Sequence, residues 1–208
     1  MNQPHEETPQ VDHLTVPDVI REVFTNFSHF APRLLAPRPP ALLIMIWLIG
    51  MDAVAGMIEM EYAQQGAYLV DNWFYAWIRI MAGGVVVGAI RYWAVGSLFH
   101  LGVRLAGGNG LMRTSRYIFL YSAIPVAVVD LLLKVIQMLV YRNQYFIGQT
   151  SAILDGIIGG VMLGTLLFTA RLCYIGMCQL MDANPRKSIM LMSAAALAIF
   201  VLMMGVSF

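Results

Sequence analysis

Apolar residues come in long blocks along this chain instead of alternating with polar ones. Five blocks, at residues 41–58, 76–101, 117–141, 151–171 and 189–208, approach or exceed the length of about 20 apolar residues that a helix needs to cross a bilayer. Polar connections separate them at residues 59–75, 102–116 and 179–188, with Arg142, Asn143 and Gln144 between the third and fourth. Ahead of the blocks, residues 1–14 are polar and proline-bearing, the composition of a disordered tail. Residues 15–40 carry Val16, Ile20, Val23, Phe27 and Phe30 at helical spacing after a capping Thr15, then Pro32, Pro37, Pro39 and Pro40. This predicts an amphipathic helix of about four turns and a proline-rich linker, with the helix either on the membrane surface or packed under the spans. The expected fold is all-α: a polytopic transmembrane bundle of five helices over residues 41–208, with an N-terminal cytoplasmic amphipathic helix.

Composition agrees with lipid as the solvent. Of 208 residues, 59% are hydrophobic and 12% charged, too apolar for a soluble core of this size to hide. The net charge of +1 carries little meaning, because the placement of charges matters more than their sum. No basic tract suits nucleic acid. No apolar run with a cleavage site precedes residue 41, so no removable signal peptide is expected. Arg21, Arg33, Arg38, Arg104, Arg113, Arg116, Arg186 and Lys187 fall on one side of a five-span layout and Arg142 on the other. By the positive-inside rule the N-terminus is cytoplasmic and the C-terminus outside. A bacterial inner membrane is the expected location, or the ER and Golgi in a eukaryotic cell.

Charges inside the spans carry the most functional information, since each costs about 2.5–3.5 kcal/mol at a span centre. Counted at the helical rise, Asp52 lies about 16 Å from the cytoplasmic end of its span and Arg91 about 15 Å, level and of opposite sign. Near the outer side, Asp130 and Lys134 are one helical turn apart, and Asp155 lies across a short hairpin from them. Asp52, Arg91, Asp130, Lys134 and Asp155 are therefore the expected intramembrane polar network, serving either as ion pairs that fix helix register or as a polar pathway.

Glycines supply the second signal. Gly84 and Gly88, and Gly156, Gly160 and Gly164, recur every four residues, the spacing by which membrane helices approach closely. Gly107, Gly108 and Gly110 form a tight turn rimmed by Arg104, Arg113 and Arg116. It lacks the Lys-Ser/Thr ending of a phosphate loop. An ordinary helix-connecting turn, with Thr114 or Ser115 capping the next helix, is the simpler reading, and contact with anionic lipid head groups the sharper one.

No catalytic constellation assembles around His100, the single histidine in a span. Cys173 and Cys178 are too few for a disulfide framework or a zinc site, and the 15 methionines read as packing residues. No metal, cofactor or catalytic residue is assigned.

The run His100-Leu-Gly-Val-Arg104-Leu-Ala-Gly107-Gly108-Asn-Gly110, followed by Thr114, Arg116, Tyr121 and Pro125, resembles the signature of the Yip-domain family of Rab/Ypt-interacting-protein-like membrane proteins. The resemblance covers about residues 16–208 and implies five spans with a cytoplasmic N-terminal segment. Eukaryotic members are implied in Golgi and ER vesicle traffic and in binding prenylated small GTPases. This chain lacks their Asp-Leu-Tyr-Gly-Pro motif and long N-terminal extension, so it is more similar to the prokaryotic-type branch and small GTPase binding is not carried over. The expected function is a non-enzymatic membrane scaffold or partner-binding protein, its partners being membrane lipids and a second copy or another membrane protein. The competing reading is a transporter or scramblase of a small solute, ion or lipid that uses the buried charges.

Overall fold

The computed structural model describes residues 14–36, 38–39, 41–65, 73–141 and 152–206. Residues 1–13 of the tail expected over 1–14, and the connection holding Arg142, lie outside them. All regular elements among the described residues are helical. They are α1 (Val16–Thr25), α2 (Phe27–Phe30), a 3-10 turn (Ala31–Leu35), α3 (Leu42–Gln65), α4 (Trp73–Ile90), a π-helical segment (Arg91–Val95), α5 (Gly96–Leu105), α6 (Met112–Tyr141), α7 (Ala152–Leu180) and α8 (Pro185–Val206). Among the described residues, four stretches are long and apolar enough to cross a membrane: Leu42–Glu61, Phe74–Leu105, Met112–Val140 and Ile153–Leu180.

The N-terminal helix is shorter than its apolar spacing predicts. Asn26 adopts φ −148° and ψ 47°, which ends α1 after Thr25 and sets α2 off at a new angle. At the other end of α1, the Asp18 carboxylate accepts hydrogen bonds from the Thr15 hydroxyl at 2.5 Å and the Thr15 N–H at 3.3 Å. The hydroxyl bond is the largest influence holding the Asp18 carboxyl below its ordinary pKa, so the cap keeps its charge.

Between the two placements left open by the sequence, the segment takes the packed one. Val19, Val23, Phe27, Phe30, Ala31 and Leu34 are buried in one cluster with Met45 and Ile49 of α3, Tyr92, Leu120, Tyr121 and Ile124 of the second and third long helices, and Leu172 of α7. The Phe30 and Tyr121 rings meet at 5.5 Å. Burying a side chain of this kind contributes about 1.5–3 kcal/mol, so the segment is a plug across one end of the bundle.

Helices α3 and α4 make the closest contact, and glycine is the reason. A Cβ on Gly88 would lie 2.1 Å from the Ile46 carbonyl oxygen, and one on Gly50 would lie 1.9 Å from that of Gly84. Such an approach lets backbones pack where no other residue fits. Trp47 Nε1 donates to the Met81 carbonyl across the same seam at 2.8 Å. Gly84 and Gly88 are thus occupied by α3, with Gly50 as the partner that the four-residue spacing did not reveal.

Helix α7 behaves in the opposite way over most of its length. Gly176 seats Ile118 of α6, and Leu172 and Met177 are buried. From Ile153 to Ala170 no residue of α7 is buried, and a Cβ on Gly156, Gly159, Gly160 or Gly164 would meet nothing within 4 Å.

Candidate functional site

The interior charges are held by a register that brings α3, α6 and the π-helical segment together. The extra residue of a π-turn rotates the side chains that follow it. Around this one, Arg91 turns toward α3, Tyr92 toward the core, and Trp93 toward α6. Arg91 Nη1 donates to Asp52 Oδ2 at 3.1 Å and to the Ile49 carbonyl at 2.8 Å. The equal depths counted along the two spans correspond to a direct contact.

On α6, Lys134 Nζ lies 2.6 Å from Asp130 Oδ2, one turn back on the same helix, and 2.9 Å from Glu59 Oε2 of α3. The lysine side chain is only 9% exposed. The second carboxylate on Lys134 is therefore Glu59, where the sequence reading put Asp155; Asp155 stands in the first turn of α7. The physical reason is the length of α3. A carboxylate in lipid is costly, so Glu59 and Glu61 suggested a loop beginning at residue 59, yet the helix continues to Gln65 because both charges are paired. Glu59 pairs with Lys134, and Glu61 accepts from Arg79 Nη2 at 2.7 Å. Asp52 and Glu59 are seven residues apart, two turns along one face. Glu59, Lys134 and Asp130 thus form one string of charges that joins α3 to α6, and Arg91 with Asp52 a separate pair that joins the π-helical segment to α3.

The second predicted site, the glycine turn, is built as a helix stop. Gly107 takes φ +84°, the left-handed conformation that glycine adopts without strain. The Gly107 N–H donates to the Arg104 carbonyl and that of Gly108 to Val103, both at 2.9 Å, the paired bonds of a Schellman cap. The Asn109 N–H donates to the Met181 carbonyl at 2.9 Å, and the Asn184 N–H to Ala106 at 3.0 Å, tying the turn to the α7–α8 loop. These N–H groups are committed, so they do not form an anion cradle. A Cβ at Gly108 would lie 2.6 Å from Val103 Cγ1 and 2.9 Å from the Met181 carbonyl oxygen, so backbone closes that position, whereas one at Gly110 would lie 2.0 Å from Met181 Sδ, the movable end of a side chain.

The rim arginines point away from the turn. Arg116 lies 4.0 Å over the Trp93 ring and donates to Ser97 Oγ at 3.0 Å. Arg113 Nε donates to the Tyr117 hydroxyl at 2.6 Å, and Arg104 Nε reaches His100 at 3.5 Å. Thr114 and Ser115 do not cap α6, which begins earlier, at Met112. Ser115 is buried and shares a 2.8 Å hydrogen bond with His100 Nδ1. Cys173 and Cys178 are free thiols within α7.

Long apolar helices, charges neutralised in pairs between them and glycine-mediated close packing define a multi-pass α-helical integral membrane protein. The comparison of families adds the lineage. The Yip1 domain matches residues 21–207, and the chain belongs to the Yip1 domain family. No curated protein and no solved structure matches the chain.

Proposed function

We propose that this protein is a non-enzymatic membrane scaffold that associates through the glycine face of α7. The single observation behind the reading is a contrast between glycines: Gly50, Gly84 and Gly88 of α3 and α4 lie against the backbone of the other helix, whereas Gly156, Gly160 and Gly164 meet nothing within 4 Å. Small residues every four positions present a flat surface to which a second helix binds by close packing and loss of lipid contacts. The occupant proposed here is a second copy of the chain, because an isologous pair needs only one such face.

In this reading α8 (Pro185–Val206) is the fifth span, and the N-terminal plug is an amphipathic element on the cytoplasmic side. The bundle end that carries the plug also holds Arg104, Arg113, Arg186 and Lys187, which supports a cytoplasmic assignment by the positive-inside rule, with the C-terminus outside. Arg104 and Arg113 are exposed there and suit lipid phosphates as point charges. The missing eukaryotic motif favours a bacterial inner membrane.

Gly160→Leu is expected to convert the oligomer to monomer in native mass spectrometry from lipid nanodiscs, while leaving helix content intact. A wild-type chain that is already monomeric, or a variant that stays oligomeric, would overturn the proposal.

A further inference from the structure

A groove of about 300 Å³ opens where α1 meets α7. Its walls are Phe24 of α1 and Val161, Gly164, Thr165 and Phe168 of α7, with the two phenylalanine rings stacked at 6.0 Å. The Thr165 hydroxyl donates to the Val161 carbonyl at 2.8 Å, so the polar side chain of the lining is spent and the surface left is hydrocarbon. Arg171 follows Phe168 by three residues and Gly164 by seven, which places it on the groove side of the helix. Arg79, Arg91 and Lys134 each pair with a carboxylate, whereas the exposed Arg171 makes no ion pair or side-chain hydrogen bond among the described residues. It ends the fourth apolar block, so its guanidinium reaches the level of the lipid head groups. From there to Val161 is about 15 Å at the helical rise, half of a hydrocarbon core of about 30 Å and so the reach of an acyl chain within one leaflet.

We propose that this groove and Arg171 form a binding site for one anionic phospholipid, its phosphate on the Arg171 guanidinium and one acyl chain along Phe168, Gly164 and Val161 beside Phe24. Charge selects the occupant: a zwitterionic lipid carries its own cation beside the phosphate, whereas an anionic lipid leaves the guanidinium to neutralise it. The apolar walls select a lipid over a soluble phosphate, which has no apolar surface to bury there. Because the groove has walls from both helices, bound lipid fastens the plug to α7. Val161, Thr165 and Phe168 are turned about a third of a revolution from Gly156 and Gly160, so the site adjoins the association face at Gly164 without resting on it.

Native mass spectrometry of the full chain in detergent, titrated with phosphatidylglycerol or with phosphatidylcholine of the same acyl chains, tests it. The lipid is counted per chain in whichever oligomer forms. The expected result is one phosphatidylglycerol retained per chain, bound about fivefold more tightly than phosphatidylcholine, the ratio that one arginine at an anionic surface provides. Arg171→Gln should remove the preference, Arg171→Lys should keep most of it, and Val161→Trp, which fills the groove, should lower retention of both lipids. Wild-type protein that retains no lipid, or both lipids equally, would overturn the proposal and needs no variant to fold. So would a preference that survives Arg171→Gln or falls as far in Lys187→Gln, where only net charge has changed. Displacement of the lipid by soluble glycerol phosphate, or retention unchanged in Val161→Trp, would mean that no acyl chain lies in the groove.

Discussion

Lys134→Met is expected to destabilise the bundle by about 3–5 kcal/mol, the usual cost of removing one member of a buried ionic group. Among the described residues Lys134 is the counter-charge on both Asp130 and Glu59, and the methionine is close to it in length and apolar bulk, so the change isolates the charge. Adding Glu59→Gln and Asp130→Asn should recover most of that loss, because no carboxylate is then stranded. The recovery is a coupling that independent sites do not show. Reversible unfolding in mixed micelles measures both quantities. Wild-type stability in the single variant would mean that the string of charges does not hold α3 to α6.

The second large effect concerns space. Gly88→Leu would drive a side chain into the Ile46 carbonyl, 2.1 Å from the new Cβ, and α4 would have to move away from α3. Overpacking of this kind costs about 1–3 kcal/mol and more where the obstacle is backbone. The shift would also lengthen the Trp47–Met81 bond and pull Arg91 from Asp52, since both cross the same seam. Gly160→Leu, made on a face with open space, should leave the unfolding free energy of the isolated protomer within about 0.5 kcal/mol of wild type, as surface substitutions usually do. Equal losses in the two variants would mean that the two sets of glycines do not differ as their surroundings indicate.

How far the sequence revealed this arrangement depended on the kind of signal. Apolar block length gave the long helices, because the bilayer imposes a minimum span. Equal depth gave the Arg91–Asp52 contact, because helical rise is fixed. The four-residue spacing of Gly84 and Gly88 marked a close contact but not Gly50, which has no glycine four residues away in α3 and shows its role only against a neighbour.

Other features were hidden for physical reasons. A π-turn has no sequence signature, so the rotation that aims Arg91, Tyr92 and Trp93 in three directions was invisible. Glu59 read as the start of a loop because its compensating lysine lies 75 residues later, a pairing that only the tertiary structure supplies. Gly107 to Gly110 resembled an anion cradle because glycine-rich turns of both kinds expose N–H groups in isolation; here the chain's own carbonyls take them up. The asparagine at position 26 carried no mark that separated it from the helical spacing on either side.

The claim that α7 presents its glycine face to a second copy is tested most directly by oxidative cross-linking in native membranes. The chain for this experiment carries Cys173→Ser and Cys178→Ser, so that a single introduced thiol reports. The account predicts covalent dimers for Gly156→Cys and Gly160→Cys, and few for Leu166→Cys, which is equally open to lipid but turned away from the glycines. Dimers that form as readily from position 166, or none from positions 156 and 160, would contradict it.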